Sequence, residues 1–251
     1  MRRIGNRSPG AGRPPAPAAG RALSPRASAL DRLADLFDRQ TLSGEEKRFV
    51  EESVQAPLAG HPVLSWARVP EPAFASPPRN GNCQYTFKVW ALPRGQKDFV
   101  WEIPHTRRRE WKAAQHGCYL ELVGECDRRG HRLNRRLFWG VKVSGSRKGM
   151  GALRADVGRA GLGRLGHDSP HARPVHELLP AIGISATWYL LGFEAREADV
   201  RAYNTMDELL DDVAAGLTAA YRAFDAFVGL TGGTLVPRNP ATLPQPRGGR
   251  P

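Results

Sequence analysis

Hydrophobic and polar residues alternate with a period of two in four closely spaced segments of this chain. The four segments are 84–90, 99–103, 118–123 and 137–143. Alternation of this kind predicts half-buried β-strands, each with one face against a core. Because the segments follow one another closely, they predict an antiparallel meander, and the strongly apolar segment 184–193 predicts a further strand.

Near both ends of the chain, hydrophobic residues recur every three to four positions, which predicts helices. Ser28 is a possible N-cap for a first helix, and a capping-box sequence at 43–46 begins a second helix that ends near Pro57. Another capping box at 205–208 begins the clearest helix, whose apolar stripe extends over 206–228. The pattern predicts an α+β fold: an N-terminal helical hairpin, a four- to five-stranded mainly antiparallel sheet and a long C-terminal helix packed on the sheet.

The segments that connect these elements differ in composition. Residues 91–98 suit a hairpin loop, and residues 106–117 suit a short helix that ends at a glycine. Residues 127–130 match a type I turn, with Asp first and Gly last. Residues 144–166 are rich in glycine and predict a mobile loop, and residues 167–180 predict irregular structure.

Composition divides the chain into one domain between two tails. Residues 1–27 and 236–251 are rich in Pro and Arg and hold no acidic residue. That composition predicts disordered basic tails. Residues 28–235 are long enough to bury a hydrophobic core and predict a single α+β domain.

Three features of the sequence bear on its compartment. There is no uninterrupted apolar stretch of about 18 residues, which argues against a membrane span. The N-terminus lacks the apolar centre of a secretory signal, and three Cys are too few for a disulfide scaffold. We therefore expect a cytoplasmic or nucleoid-associated protein without a membrane partner.

The charge of the chain is concentrated in its middle. The formal net charge is +12, and residues 79–164 hold nineteen basic and seven acidic residues. Acidic residues outnumber basic ones in the flanking segments 28–78 and 165–235. Like charges crowded in one folded region repel each other, so this distribution predicts a polyanionic partner, DNA or RNA. It leaves open the type of nucleic acid, its strandedness and the oligomeric state of the protein.

The predicted phosphate contacts are basic residues in three segments of this basic region. The hairpin around 127–130 is dense in Arg, the side chain suited to bidentate phosphate or guanine contacts. Three Arg open the predicted helix at 106–117, where positive charge opposes the helix dipole. Contact with phosphates would offset that local cost. The glycine-rich segment could wrap a backbone. We expect these residues to form one continuous exposed patch, with contacts from Arg107, Arg108, Arg109, Arg128, Arg129, Arg132, Arg135, Arg136, Arg147 and Lys148.

One face of the predicted sheet mixes aromatic rings with charged residues. Its members are Lys88, Trp90, Glu102, Tyr119, Glu121, Phe138 and Lys142. Rings that stack on bases, beside cations that hold phosphates, make a nucleic-acid platform, so we predict contacts from the two lysines and the three aromatic residues. Two other interpretations stay open: a second layer covers the rings as core, or Lys88–Glu102 and Glu121–Lys142 are cross-strand ion pairs.

A short motif offers a catalytic alternative. Glu110, Trp111 and Lys112 form an E-x-K sequence twelve residues after Asp98. This spacing resembles the PD-(D/E)xK nuclease pattern. The resemblance implies that Asp98 and Glu110 hold a divalent metal such as Mg²⁺ and that Lys112 helps to activate water. It departs from the pattern because Lys97, not Pro, precedes Asp98, and because the E-x-K sequence lies in a predicted helix rather than a strand.

Besides nucleic-acid binding and nuclease activity, the sequence raises the questions of a second metal-binding set, a zinc site and a protein-docking surface. Glu102, Glu121 and Lys142 form a second set that could bind a metal. A zinc site is not expected, because the spacing of the His and Cys residues between 116 and 131 does not match a known zinc motif. Under a binding function no cofactor is needed. A third alternative is a scaffold that docks an acidic protein on the same basic face.

Overall fold

A computed structural model describes residues 28–39, 41–68, 85–96, 99–102, 113–126, 132–180, 186–230 and 234–237. Within this part of the chain the strands are β1 (Leu64–Arg68), β2 (Tyr85–Pro93), β3 (Phe99–Glu102), β4 (Ala113–Cys126), β5 (Arg132–Ser146), β6 (Arg173–Pro180), β7 (Ala186–Ala195) and β8 (Thr234–Pro237). The helices are α1 (Ala29–Asp35), α2 (Gly44–Val50), α3 (Ala56–Gly60), α4 (Arg147–Arg159), α5 (Glu197–Val200) and α6 (Met206–Leu230). The predicted α+β fold is confirmed.

The predicted N-cap at Ser28 and the predicted capping box at 43–46 are both formed. The Ser28 side chain accepts a hydrogen bond from the Asp31 amide at 3.1 Å, and Ser43 accepts one from the Glu46 amide at 3.2 Å. The helix begun at Ser43 was predicted to end near Pro57, but the chain stays helical to Gly60. A π-type turn over Glu51–Gln55 carries the chain directly into α3, and Pro57 lies in the first turn of that helix, where a missing N–H costs nothing.

Six strands form one antiparallel sheet in the order β1-β2-β4-β5-β7-β6. The predicted meander is wrong in one respect, because β3 leaves this sheet and pairs with β8 in a separate two-stranded sheet. Alternation identifies β3 as a strand but does not specify its partner. Strand β8 also includes residues 236 and 237, the first two of the predicted C-terminal tail.

Three predicted connections are corrected by the structure. Residues 113–117 of the predicted short helix belong to β4, which stays paired with β5 as far as Ala113. Residues 173–180 form β6, an edge strand where prolines are tolerated. Residues 147–159, predicted as part of a mobile loop, form α4, because Met150, Leu153 and Val157 follow helical spacing and are buried.

The helices cover one face of the six-stranded sheet, here called the helical face. The main core joins buried residues of α1, α2, α4 and α6 to sheet residues such as Phe87, Leu120 and Trp139. Gly216 brings α6 close to the sheet, since a Cβ there would lie 2.5 Å from the Trp139 Nε1. By length and composition α6 could cross a bilayer, but a buried core helix meets the same criterion, and α6 packs on the sheet.

The opposite face of the six-stranded sheet, here called the second face, has a separate small apolar cluster. That cluster is formed by Val123, Phe138, Val175 and Leu190, with Trp188 packed against it. Its members all come from strands, so no described helix residue takes part in it. The two faces therefore differ in what packs on them, and among the charged residues predicted for function, Lys88, Arg136 and Lys142 lie on the second face.

Candidate nucleic-acid interface

Strand register places the predicted aromatic and basic residues on the second face together. Lys88 is the register partner of Glu121, and Trp90 is the partner of Tyr119. On β5, Phe138 and Lys142 each lie two positions from Gly140, the partner of Tyr119, so both share this face. The prediction that these side chains share one face of the sheet is confirmed for the described residues.

A β-bulge at Thr86 adds Tyr85 to the same face. The register advances by two residues on β2, from Tyr85 to Phe87, while it advances by one on β4. A bulge of this kind reverses the facing of the residues beyond it. Simple alternation predicted Tyr85 for the apolar face, whereas its ring lies 4.7 Å from the Lys88 Nζ.

The β1–β2 edge of the second face carries an arginine between two tryptophans. The Arg68 guanidinium lies 4.6 Å from the ring centre of Trp66 and 5.3 Å from that of Trp90. The Trp90 ring in turn meets Tyr119 edge to face, with ring centres 5.7 Å apart. Each contact has a geometry favourable for cation–π or aromatic packing, so these side chains hold one another in place.

Further into the sheet, two lysines share one carboxylate. The Lys142 Nζ donates a hydrogen bond to Glu121 at 2.5 Å, and the Lys88 Nζ lies 3.9 Å from the other oxygen of Glu121. Lys88 also lies 5.0 Å from the Tyr119 ring centre, and Lys142 lies 4.3 Å from that of Trp188. The alternative prediction of a Glu121–Lys142 ion pair is confirmed.

These contacts connect into one series that crosses the sheet from β1 to β7, here called the cation–aromatic row. Its members are Trp66, Arg68, Tyr85, Lys88, Trp90, Tyr119, Glu121, Lys142 and Trp188. The row holds three cations and a single carboxylate, so its charge is positive. Burial lowers the pKa of Lys88, Glu121 opposes that shift and Lys142 adds to it.

Two glycines give Lys142 its path to Glu121. Gly140 lies between Lys142 and Phe138 on this face of β5, and Gly192 is its register partner on β7. A Cβ at Gly140 would lie 2.3 Å from the Leu191 carbonyl oxygen, in a backbone with φ of +152°. Glycine is therefore required there, and neither glycine places a side chain between Lys142 and Glu121.

Exposure falls along the row from the sheet edge inward. Arg68 is exposed, and Trp66, Lys88 and Trp90 are half-buried. Phe138, Lys142 and Tyr119 retain only 0%, 2% and 4% exposure. The last three were predicted to touch nucleic acid, but burial makes them supports for the exposed residues rather than contacts.

Arg136 is also engaged within the protein. It lies on the second face at the hairpin end of β5, where its guanidinium pairs with Glu177 and Glu194. Burial opposes its charged form, but hydrogen bonds and charge from these two carboxylates raise the pKa of Arg136. Arg173 pairs with Glu194 as well. The predicted phosphate contact from Arg136 is therefore replaced by an internal ion-pair network.

Arg135 points to the other side of the sheet. A bulge at Asn134, which has a φ of +50°, shifts the β4–β5 register. Arg135 and Arg136 are neighbours on the strand, so their side chains face opposite sides of the sheet. Arg135 donates a hydrogen bond to the Phe37 carbonyl and lies 4.0 Å from Asp38. It lines an open depression with Arg196 and Arg201, and Arg201 is held by three carboxylates, Asp31, Asp35 and Glu197.

The remaining predicted contacts do not join the row within the described residues. Lys148 is exposed on α4, which packs on the helical face. The backbones of Arg132 and Arg147 are described, but their side chains are outside the description. Residues Arg107, Arg108, Arg109, Arg128 and Arg129 lie outside the described residues, as do the predicted catalytic residues Asp98, Glu110 and Lys112.

The second metal-binding set is not assembled as predicted. Glu102 is on β3 and has Thr234 of β8 as its register partner, so β3 is not paired with the strand of Glu121. The predicted cross-strand register of Lys88 with Glu102 is likewise not formed, because Lys88 is the register partner of Glu121; the side chain of Glu102 lies outside the description. Within the described residues, no group of three or more His, Cys, Asp or Glu is placed to hold a metal ion.

A polar cluster under the segment 161–172 has a structural role. Asp212 accepts hydrogen bonds from Ser169 at 2.6 Å and from Tyr203 at 2.5 Å, and its other oxygen lies 2.6 Å from the His167 Nε2. Burial and the hydrogen bond to Asp212 raise the pKa of Tyr203. Because the carboxylate lies between the serine and the histidine, the arrangement fastens this segment to α6 and does not activate a nucleophile.

Sequence analysis missed Trp66 and Arg68. Strand β1 is five residues long, and its register shifts between Leu64 and Trp66. This bulge interrupts the alternation by which a strand is identified from sequence. The signal that remained was an aromatic residue and a basic residue two positions apart, which is consistent with one face of a strand.

Comparison with protein-family models, with curated proteins and with solved structures finds no match to this chain. A functional conclusion therefore depends on the geometry and chemistry of the cation–aromatic row.

Proposed function

We propose that this protein binds nucleic acid through the exposed edge of the cation–aromatic row on β1 and β2. The observation that carries the proposal is the exposed Arg68, which lies between Trp90 and Trp66, a half-buried ring that also packs against the main core. Cations that meet phosphates, beside rings that meet bases, are the two components of a nucleic-acid surface.

The charge balance of the row supports the proposal. Lys88 and Lys142 share Glu121, and Lys142 is the closer of the two lysines to this carboxylate. Lys88 is therefore a partly desolvated cation with incomplete neutralisation, as its lowered pKa indicates. A phosphate oxygen near Lys88 would supply the missing negative charge, and the gain would be larger than at a fully hydrated lysine.

The packing of the row also favours binding. Rings and cations already contact one another before any ligand arrives, so a ligand orders fewer side chains on binding. The buried Tyr119, Glu121 and Lys142 fix the positions of Trp90 and Lys88 from below. The Mg²⁺-dependent nuclease hypothesis depends on Asp98, Glu110 and Lys112, and the binding proposal does not require it.

Fluorescence anisotropy with a labelled oligonucleotide tests the proposal on the full chain. Arg68→Gln should weaken binding roughly fivefold and reduce the slope of log K against log salt by about 1, because one phosphate contact is lost. Arg48→Gln is the matched control, since it removes the same charge from an exposed position on α2. If the two variants bind equally well, or if the wild-type chain fails to bind at low salt, the proposal is wrong.

A further inference from the structure

We propose, on the basis of the binding function above, that the nucleic acid is single-stranded and that its bases stack on Trp66 and Trp90. The two rings belong to adjacent strands of the same sheet face, and Arg68 lies between them.

The chemistry of the surface favours unpaired bases. In a duplex, the flat faces of the bases are stacked on one another, and the outside offers phosphates and base edges. A surface built from ring faces gains its contact energy only from bases that are free to stack on it. A duplex could use Arg68 and Lys88 but would stack no base on Trp66 or Trp90.

The spacing of the rings points in the same direction. Trp66 is the register partner of Leu92, and Arg68 is the partner of Trp90, so Trp66 and Trp90 are diagonal neighbours on adjacent strands. Diagonal neighbours in an antiparallel pair are about 7 Å apart. Successive bases of a duplex strand rise by about 3.4 Å. Bases on both rings must therefore be unstacked from each other, a state open to a single strand.

The residues between and beside the rings suit the backbone of such a strand. Arg68 is exposed, so its guanidinium can turn from the rings to a phosphate when a base takes its place. Lys88 lies two residues from Trp90 along β2, on the same face of the sheet. Two bases and two phosphates can thus be held in alternation along this edge.

Stacking is tolerant of sequence because every base has a π-face. Strands β1 and β2 themselves hold no Asn or Gln, and the Gln55 side chain at this edge donates its hydrogen bond to the Ala67 carbonyl. We therefore expect affinity to depend on strandedness and salt far more than on base sequence.

The test compares a single-stranded oligonucleotide of about 16 nucleotides with the duplex of the same sequence, titrated into the full chain at low salt. Wild-type protein should bind the single strand at least tenfold more tightly, with quenching of tryptophan fluorescence. Trp66→Ala and Trp90→Ala should each weaken single-strand binding about tenfold and weaken duplex binding much less, because the cations remain. Trp66→Phe and Trp90→Phe keep a ring and should retain most of the affinity, which guards against a loss caused by misfolding.

The outcomes separate the two proposals. Equal or tighter binding of the duplex, or unchanged single-strand binding by both alanine variants, would overturn the single-strand inference while nucleic-acid binding stands. Failure to bind either oligonucleotide would overturn the binding function itself. A third outcome is a wild-type dimer that becomes a monomer in the alanine variants, with no nucleic-acid binding by any of them. That outcome would show that the two tryptophans form an interface between copies of this chain.

Discussion

Lys88, Glu121 and Lys142 place two positive charges and one negative charge on the second face, largely out of water. Lys142 and Glu121 are almost fully buried and lie 2.5 Å apart, whereas Lys88 is half-buried and lies 3.9 Å from Glu121. Such a group stabilises the fold only while its opposite charges remain matched, because an unpaired buried charge is costly. The three residues should therefore respond very differently to substitution.

Glu121→Gln should lower the free energy of unfolding by about 3–5 kcal/mol, because it leaves both lysines without a carboxylate. Lys88→Met removes a desolvated cation and keeps the Lys142–Glu121 pair, so its unfolding free energy should stay within about 1 kcal/mol of wild type. Urea denaturation measures both values. Equal losses of unfolding free energy in the two variants would show that Lys88 contributes as much to stability as Glu121 does, contrary to the geometry.

At the scale of elements, the glycines Gly151 of α4 and Gly216 of α6 differ in what they contribute to packing. A Cβ at Gly216 on α6 would lie 2.5 Å from Trp139 and 2.9 Å from Phe193, so glycine permits close contact with the sheet. A Cβ at Gly151 on α4 would meet no atom within 4 Å. Glycine there offers no packing advantage and lowers helix propensity.

Gly216→Ala should lower the unfolding free energy by about 1–3 kcal/mol through overpacking against Trp139. Gly151→Ala should raise it by about 0.5–1 kcal/mol, because alanine has the higher helix propensity and its Cβ meets no other atom there. Thermal and urea unfolding of both variants provide the comparison. Since the benefit of Gly151→Ala requires a helix, destabilisation by that change would contradict the assignment of residues 147–159 to α4.

The sequence predicted elements well where local signals are complete. The N-cap at Ser28, the capping box at Ser43 and the long apolar stripe of α6 appear as expected. It did not predict features that depend on partners distant in the chain. Helix α4 is stabilised by burial in the core despite its glycines, and the bulge at Thr86 is visible only in the register with β4. The helical spacing of Met150, Leu153 and Val157 was outweighed by the glycines, which have low helix propensity, and periodicity carries no information on the bulge.

At the scale of the whole molecule, the basic segment 79–164 does not form the single exposed patch that its composition suggested, as far as the described residues show. Arg136 is held by Glu177 and Glu194, Arg135 contacts the Phe37 carbonyl, and Lys148 lies on α4. The cation–aromatic row instead includes residues from outside that segment. Linear charge identified the class of ligand that we propose, but tertiary pairing decides which cations are available.

Trp66 and Arg68 illustrate the point, because they come from segment 28–78, in which acidic residues outnumber basic ones. Their place beside Trp90 follows from the β1–β2 register, with Arg68 opposite Trp90. A site formed by side chains of β1, β2 and β4 could not be derived from the charge of any one segment. The residues Lys88 and Trp90 were predictable because they alternate within a single strand.

The central claim is that nucleic acid contacts the exposed edge of the cation–aromatic row. Two-dimensional NMR of the tryptophan side-chain N–H groups tests it most directly during titration with a single-stranded oligonucleotide at low salt. The account predicts that the Trp66 and Trp90 signals shift on binding and return when salt is added, since phosphate contacts are screened. Trp139, buried on the helical face, should stay unchanged. Binding that leaves the Trp66 and Trp90 signals in place would contradict the account.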